Sequence, residues 1–133
     1  MINLIPVKDI EQGAGILYNL LQERSPDQSI SHKQMPSMED HIKFVESEPY
    51  MCWYFIYSNT QIIGSVYLTE NREVGIAIFR DHQTKGIGTK TIRALQKKHP
   101  GEIYANVNPK NTPSIRFFES LGGEHIQNTY KLP

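Results

Sequence analysis

Glu73-Val74-Gly75-Ile76-Ala77-Ile78-Phe79 is a run of strand formers, and Gln83-Thr84-Lys85-Gly86-Ile87-Gly88 follows it closely, ahead of a helical pattern. A strand, a glycine-bearing turn and a helix start place several backbone N–H groups in one concave nest that suits an anion. Glycine in such a turn lets a phosphate approach the backbone where a Cβ would stand in the way. Two other phosphate motifs fail on detail. A dinucleotide fingerprint G-x-G-x-x-G needs glycine at Thr91, and a P-loop ending in Lys90-Thr91 needs glycine at both Thr84 and Thr89.

A second segment lies downstream: Asn111-Thr112-Pro113-Ser114-Ile115-Arg116-Phe117-Phe118-Glu119-Ser120-Leu121-Gly122. Together the two segments resemble the GNAT superfamily of acyl-CoA-dependent N-acyltransferases. The first matches the family's [Q/R]-x-x-G-x-[G/A], the second most of N-x-x-[A/S]-I-x-[L/F]-Y-E-x-L-G-F. The likeness is closest from about residue 50 to residue 123 and is one of general pattern before that.

Working outward, the elements alternate as a mixed α/β pattern without repeats or low-complexity tracts. Residues 2–7 read as a strand. Asp9 and Gln12 form a capping-box-like start for a helix carrying Ile10, Ala14, Leu17 and Leu21. Ser25 to Pro36 reads as a loop, and Ser37 with Asp40 starts a second helix with the apolar stripe Met38, Ile42 and Val45. Met51–Tyr57, Ile62–Thr69 and Val74–Phe79 read as a meander turned at Ser58-Asn59-Thr60 and Asn71-Arg72. A helix from Ile87 to His99, with Ile92 and Leu95 inward, stops at Pro100-Gly101. Ile103–Val107 is a fifth strand, Pro113 opens a helix behind an N-cap at Thr112, and a last strand falls within 125–132. The order β-α-α-β-β-β-α-β-α-β is that of the GNAT fold. The expectation is an α/β (α+β) domain over 1–133, with four helices on a mixed, mostly antiparallel sheet of about six strands.

At 133 residues the chain fits one domain with an adequate core. Its 14 basic and 14 acidic residues cancel, so nothing draws it globally to nucleic acid or an anionic membrane. Lys85, Lys90, Arg93 and Lys110 fall near the motifs and either assist a polyanionic cofactor or form a solvated face. Cys52, the single cysteine, sits in an apolar run and reads as a buried structural thiol; an internal disulfide is excluded. With no signal-like start and no membrane-length apolar stretch, a cytoplasmic location is expected. No metal-ligand pattern is present.

The resemblance implies acetyl-CoA as the acyl donor and direct transfer to an amine. It places Ile76, Ala77 and Ile78 along the pantetheine arm through their backbone. Gln83, Thr84, Lys85, Gly86, Ile87, Gly88 and Thr89 then hold the pyrophosphate, and Asn111 bonds the pantetheine side. The family's usual leaving-group acid is a tyrosine seven residues after the asparagine, where this chain has Phe118. Since releasing a thiolate with a pKa near 8.5 costs only about 2 kcal/mol at neutral pH, water, Ser114 or Tyr130 is expected to serve instead.

One family branch has a basic glutamate where Asn106 stands, and another where Arg72 stands; Glu73 is one residue away, and a slip of one turns a side chain to the other face. His32 in the acceptor loop is the first candidate base, ahead of His41 and His82, which read as surface residues. Asn106 with Tyr104 and Asn108, and Trp53, Tyr67 and Tyr130 beyond them, are expected to line the acceptor pocket. The acceptor is expected to be a small-molecule primary amine such as an amino sugar. The competing readings are a peptide N-terminus or lysine, and a non-catalytic acyl-CoA-binding module. The short C-terminal part implies an open acceptor side or a homodimer partner that completes its wall.

Overall fold

The computed structural model describes residues 1–23, 35–83 and 86–133. Five strands form one sheet in the order β1 (Ile2–Pro6), β2 (Cys52–Ser58), β3 (Gln61–Leu68), β4 (Glu73–Ile78) and β5 (Tyr104–Ala105). The first four are antiparallel, and β5 joins β4 in parallel. Four α-helices complete the fold: α1 (Gly13–Gln22), α2 (Met38–Glu46), α3 (Ile87–Lys98) and α4 (Thr112–Ser120). This is an α+β, GNAT-like architecture, as the motifs imply.

Alternation along β2 and β3 divides the core in two. Tyr54, Ile56, Val66 and Leu68 pack with Leu95 of α3 on one face, while Phe55 packs with Leu17 of α1 and Val7 on the other. Phe55, Ile56, Val66, Leu68 and Leu95 are fully buried. Each such side chain contributes about 1.5–3 kcal/mol of burial, so the sheet is held from both sides. Desolvation by burial pushes the Cys52 thiol above its usual value, which fits a structural role.

Several local expectations are corrected. No sixth strand forms among the described residues: 125–132 make no pairing, and Ile126, Tyr130 and Leu132 are exposed. The turn at Val7–Asp9 is a 3-10 turn, so α1 starts only at Gly13, without a side-chain cap. Ser37 caps α2 as expected, its Oγ accepting from the Asp40 N–H at 3.1 Å. The buried residue of α2 is His41, whereas Met38 and Ile42 of the expected stripe are exposed. His41 Nε2–H donates to the Ala14 carbonyl at 3.0 Å, and its ring meets Tyr18 edge-on at 5.2 Å. A hydrogen-bonded imidazole can therefore replace an apolar contact between α1 and α2. The cap of α4 is Asn111, not Thr112; its Oδ1 accepts from the Ser114 N–H at 3.2 Å.

Candidate functional site

The parallel pairing of β4 with β5 covers only Glu73↔Tyr104 and Val74↔Ala105, after which the two strands part. On the other side β4 stays paired with β3 as far as Ile78. The direction of each peptide group follows from three bonds. Thr69 N–H donates to Glu73 O (2.9 Å) and Phe79 N–H to Ile63 O (2.8 Å), whereas Tyr104 N–H donates to Arg72 O (2.9 Å). Odd-numbered residues therefore bond toward β3 and even-numbered ones toward β5. Past Val74 the peptide groups of Ile76 and Ile78 face the gap left by β5. Gln83 Nε2–H reaches back to fill the Ile78 carbonyl at 2.9 Å. The Ile76 N–H and C=O and the Ile78 N–H are left with no strand partner among the described residues. Buried backbone groups need partners, so this edge suits a ligand that carries amides.

The gap opens into a cleft of about 620 Å³, within the usual ~300–1,000 Å³ range of small-molecule sites. At one end stands the start of α3. Gly86 is its N-cap at φ +72°, a conformation L side chains rarely adopt, and it supplies no side-chain cap. The first-turn N–H groups of Ile87, Gly88 and Thr89 thus remain available for an anion at the positive end of the helix dipole. Gly88 has a further reason to be glycine: a Cβ there would lie 2.9 Å from the Phe117 ring of α4. Its lack of a side chain allows α3 and α4 to pack closely beside the turn.

At the other end a carboxylate faces the cleft. Glu73 Oε2 accepts from Asn106 Nδ2–H at 2.6 Å, and Glu73 Oε1 accepts from the Thr69 hydroxyl at 3.4 Å. Thr69 Oγ1 in turn accepts the Glu73 N–H at 3.0 Å. Beyond it stands an aromatic wall. Tyr50 stacks on Tyr67 with centroids 3.7 Å apart and planes at 4°, and Trp53 meets both rings edge-on at 4.8 and 6.2 Å. Gly75 makes room for this wall, because a Cβ there would lie 2.1 Å from the Tyr67 ring.

The structure brings most of the expected residues to one place. Ile76, Ala77, Ile78, Gln83, Gly86, Ile87, Gly88, Thr89, Asn106, Asn111 and Phe118 all line the cleft. Thr84, Lys85 and His32 lie outside the described residues. Tyr130 is 80% exposed and away from the cleft, and Tyr104 does not line it; Tyr104 Oη donates instead to Glu102. Ile76 and Ile78 also pack against the core, so their side chains and backbones serve separate ends.

A model of the acetyltransferase (GNAT) family matches residues 16–123, most of the chain. The chain belongs to the GNAT acetyltransferase family. As a member this acetyltransferase is an enzyme that depends on acetyl-CoA. Solved structures agree on the fold. An acetyltransferase from Thermus thermophilus superposes with a TM-score of 0.73 at 20% identity, covering 96% of this chain and 90% of that one. AAC(6')-Iy, solved with the bisubstrate analog CoA-S-monomethyl-acetylneamine, gives 0.72 at 16% identity, covering 100% and 96%. yncA from Salmonella typhimurium, solved with acetyl-CoA, gives 0.65 at 18% identity, covering 92% and 78%.

Sequence reasoning missed Glu73 as a cleft residue. Arg72 takes φ +62° in the turn between β3 and β4. Its side chain points away and donates to the carbonyls of His99, Pro100 and Glu102 at 2.7, 3.2 and 2.6 Å. Strand β4 therefore begins at Glu73, on the cleft face. The paired turn residues Asn71-Arg72 were the available signal, since asparagine-bearing turns often hold a residue at positive φ. Among the described residues no group of three or more metal-ligand side chains occurs, and no helix is long and apolar enough to cross a membrane.

Proposed function

We propose that the acetyltransferase moves an acetyl group from acetyl-CoA to the primary amine of a small molecule, with Glu73 as the base. Bound acetyl-CoA supplies an acyl carbon already activated as a thioester. The gap beside β4 fits its amide-bearing arm, with the N–H groups of Ile76 and Ile78 holding the arm and the developing oxyanion. The first turn of α3, with Gly86, Ile87, Gly88 and Thr89, takes the pyrophosphate, and Thr84 and Lys85 belong to the same turn in sequence. Asn111 keeps its amide Nδ2 for the arm while Oδ1 caps α4. The amine nitrogen bonds to the acyl carbon, the carbon–sulfur bond breaks, and the amine proton passes to the Glu73 carboxylate and on to solvent. Asn106 positions that carboxylate. Phe118 donates no proton, so the leaving thiolate takes one from water.

The observation that carries this reading is the Glu73 carboxylate fixed at the end of a gap lined by unpaired strand amides. His32 drops behind Glu73 as the base because Glu73 is held in the cleft by two side chains. Tyr130, exposed and outside the cleft lining, has no part in this reading. An amino sugar is the first acceptor class to test, because rings with polar tips on an aromatic wall suit a sugar face. Calorimetric titration with acetyl-CoA tests the donor half: micromolar binding is expected, and no binding would end the reading.

A further inference from the structure

The acceptor end of the cleft is marked by what its charges are. Among the described residues that line the cleft, the charged side chains are Glu23 and Glu73, with no lysine or arginine. Glu23 is engaged, its Oε1 accepting the Arg80 N–H at 2.7 Å. A backbone donor leaves that carboxylate its charge, so both charged lining residues are acidic, and Glu73 is the one beside the Tyr50–Tyr67–Trp53 wall. A phosphate or carboxylate close to the reacting nitrogen would meet a like charge there, with no cation on the described walls to offset it. A protonated amine, by contrast, is drawn to Glu73 before it gives up its proton.

The wall adds a second requirement. Tyr67 is the cross-strand partner of both Trp53 on β2 and Gly75 on β4, so the rings extend over the strand that carries Glu73. Trp53 Nε1–H is buried and has no acceptor among the described residues. The ring faces of this wall, with the tyrosine hydroxyls at their tips, suit a ring that carries hydroxyls of its own.

Resting on the function proposed above, we infer that the acceptor is a primary amine carried on an uncharged, hydroxyl-bearing ring, without a phosphate or carboxylate. A free amino sugar and a hydroxyaryl alkylamine share this chemistry. Phosphorylated or nucleotide-linked sugars and free amino acids are poor acceptors.

Trp53 is the only tryptophan of the chain, so its fluorescence reports acceptor binding without turnover. The test uses two matched pairs with the whole chain saturated with coenzyme A: glucosamine against glucosamine 6-phosphate, and tyramine against tyrosine. The acid-free member of at least one pair is expected to bind at least tenfold tighter, and its kcat/KM in thiol release with acetyl-CoA to be at least tenfold higher. The pair that responds identifies the ring. Equal or better performance by the acid-bearing members overturns the inference, and so does a silent Trp53 with no acetylation of any of the four. If acetyl-CoA itself fails to bind in the calorimeter, the underlying function fails instead. In Glu73→Gln, read by Trp53 fluorescence alone, the binding ratio within the responding pair is expected to narrow at least threefold. An unchanged ratio would remove Glu73 as the source of the selectivity.

Discussion

The Asn106 amide and the Glu73 carboxylate meet at 2.6 Å across the point where β4 and β5 separate. The two residues come from opposite sides of the gap, and the bond fixes a carboxylate at its mouth. Asn106 cannot act as a base, but its amide holds the carboxylate proposed as one. A hydrogen bond to an ionised group is worth about 1.5–3 kcal/mol, enough to hold one rotamer of Glu73 in a partly open site.

Replacing Glu73 by glutamine keeps the size and one oxygen to accept from Asn106 but removes the proton acceptor. Acetyl-CoA affinity should stay within about twofold, while kcat/KM for the amine falls by roughly 10²–10⁴, the usual weight of a general base. Asn106→Ala should lose less. Steady-state thiol release beside calorimetry separates the two effects, and wild-type turnover in Glu73→Gln would remove Glu73 from the chemistry.

Gly88 and Phe117 pack too closely for a side chain between them. Gly88→Ala should cost about 1–3 kcal/mol, the range for overpacking, and lower Tm. Trimming the ring in Gly88→Ala/Phe117→Leu should recover part of that loss. Thermal unfolding of the four variants of this cycle gives the coupling. Strict additivity would mean that the glycine serves the phosphate turn alone.

Phe118 lines the cleft where the family's usual residue is tyrosine, and its ring lies edge-on to Phe117 at 5.0 Å. Phe118→Tyr restores the hydroxyl usual at this position in the family, and activity with a good acceptor should hold or rise. A loss above about tenfold, equivalent to some ~1.4 kcal/mol, would show that the cleft needs an apolar ring there.

On the opposite face of the sheet His99 Nε2 and Tyr54 Oη share a hydrogen bond of 2.7 Å. Burial first, and then the charges of Arg72 and Lys98, hold His99 below the usual imidazole range. The unfolded chain therefore binds the proton more readily than the folded one. Stability from this group is present above the ordinary imidazole value of about 6.5 and is lost as pH falls through it toward the lower folded value. The drop in Tm between about pH 7.5 and about pH 5.5 should be smaller in His99→Gln than in the parent. An equal drop in both would assign the pH response to other groups.

Much of the fold was legible in the sequence because its signals are local. A strand, a glycine turn and a helix start lie within one short stretch, and the cap at Ser37 acts over three residues. Inward positions such as Ile92 and Leu95 follow from helix period alone. The Tyr130 expectation, by contrast, depended on a final strand that does not pair, since alternating side chains say nothing of whether a neighbour is there to receive them.

The sequence by itself determined that this protein is a GNAT acetyltransferase, because each of the two motifs is one unbroken stretch whose internal spacing is set by covalent geometry. Which carboxylate faces the cleft was decided only by the tertiary structure. Arg72 takes a left-handed turn and is tied to three carbonyls of the segment between α3 and β5. This starts β4 at Glu73 and turns that side chain into the cleft. A period-two element gives opposite faces to neighbouring residues, so one residue of register, fixed by contacts from a distant loop, separates a structural clamp from a candidate base.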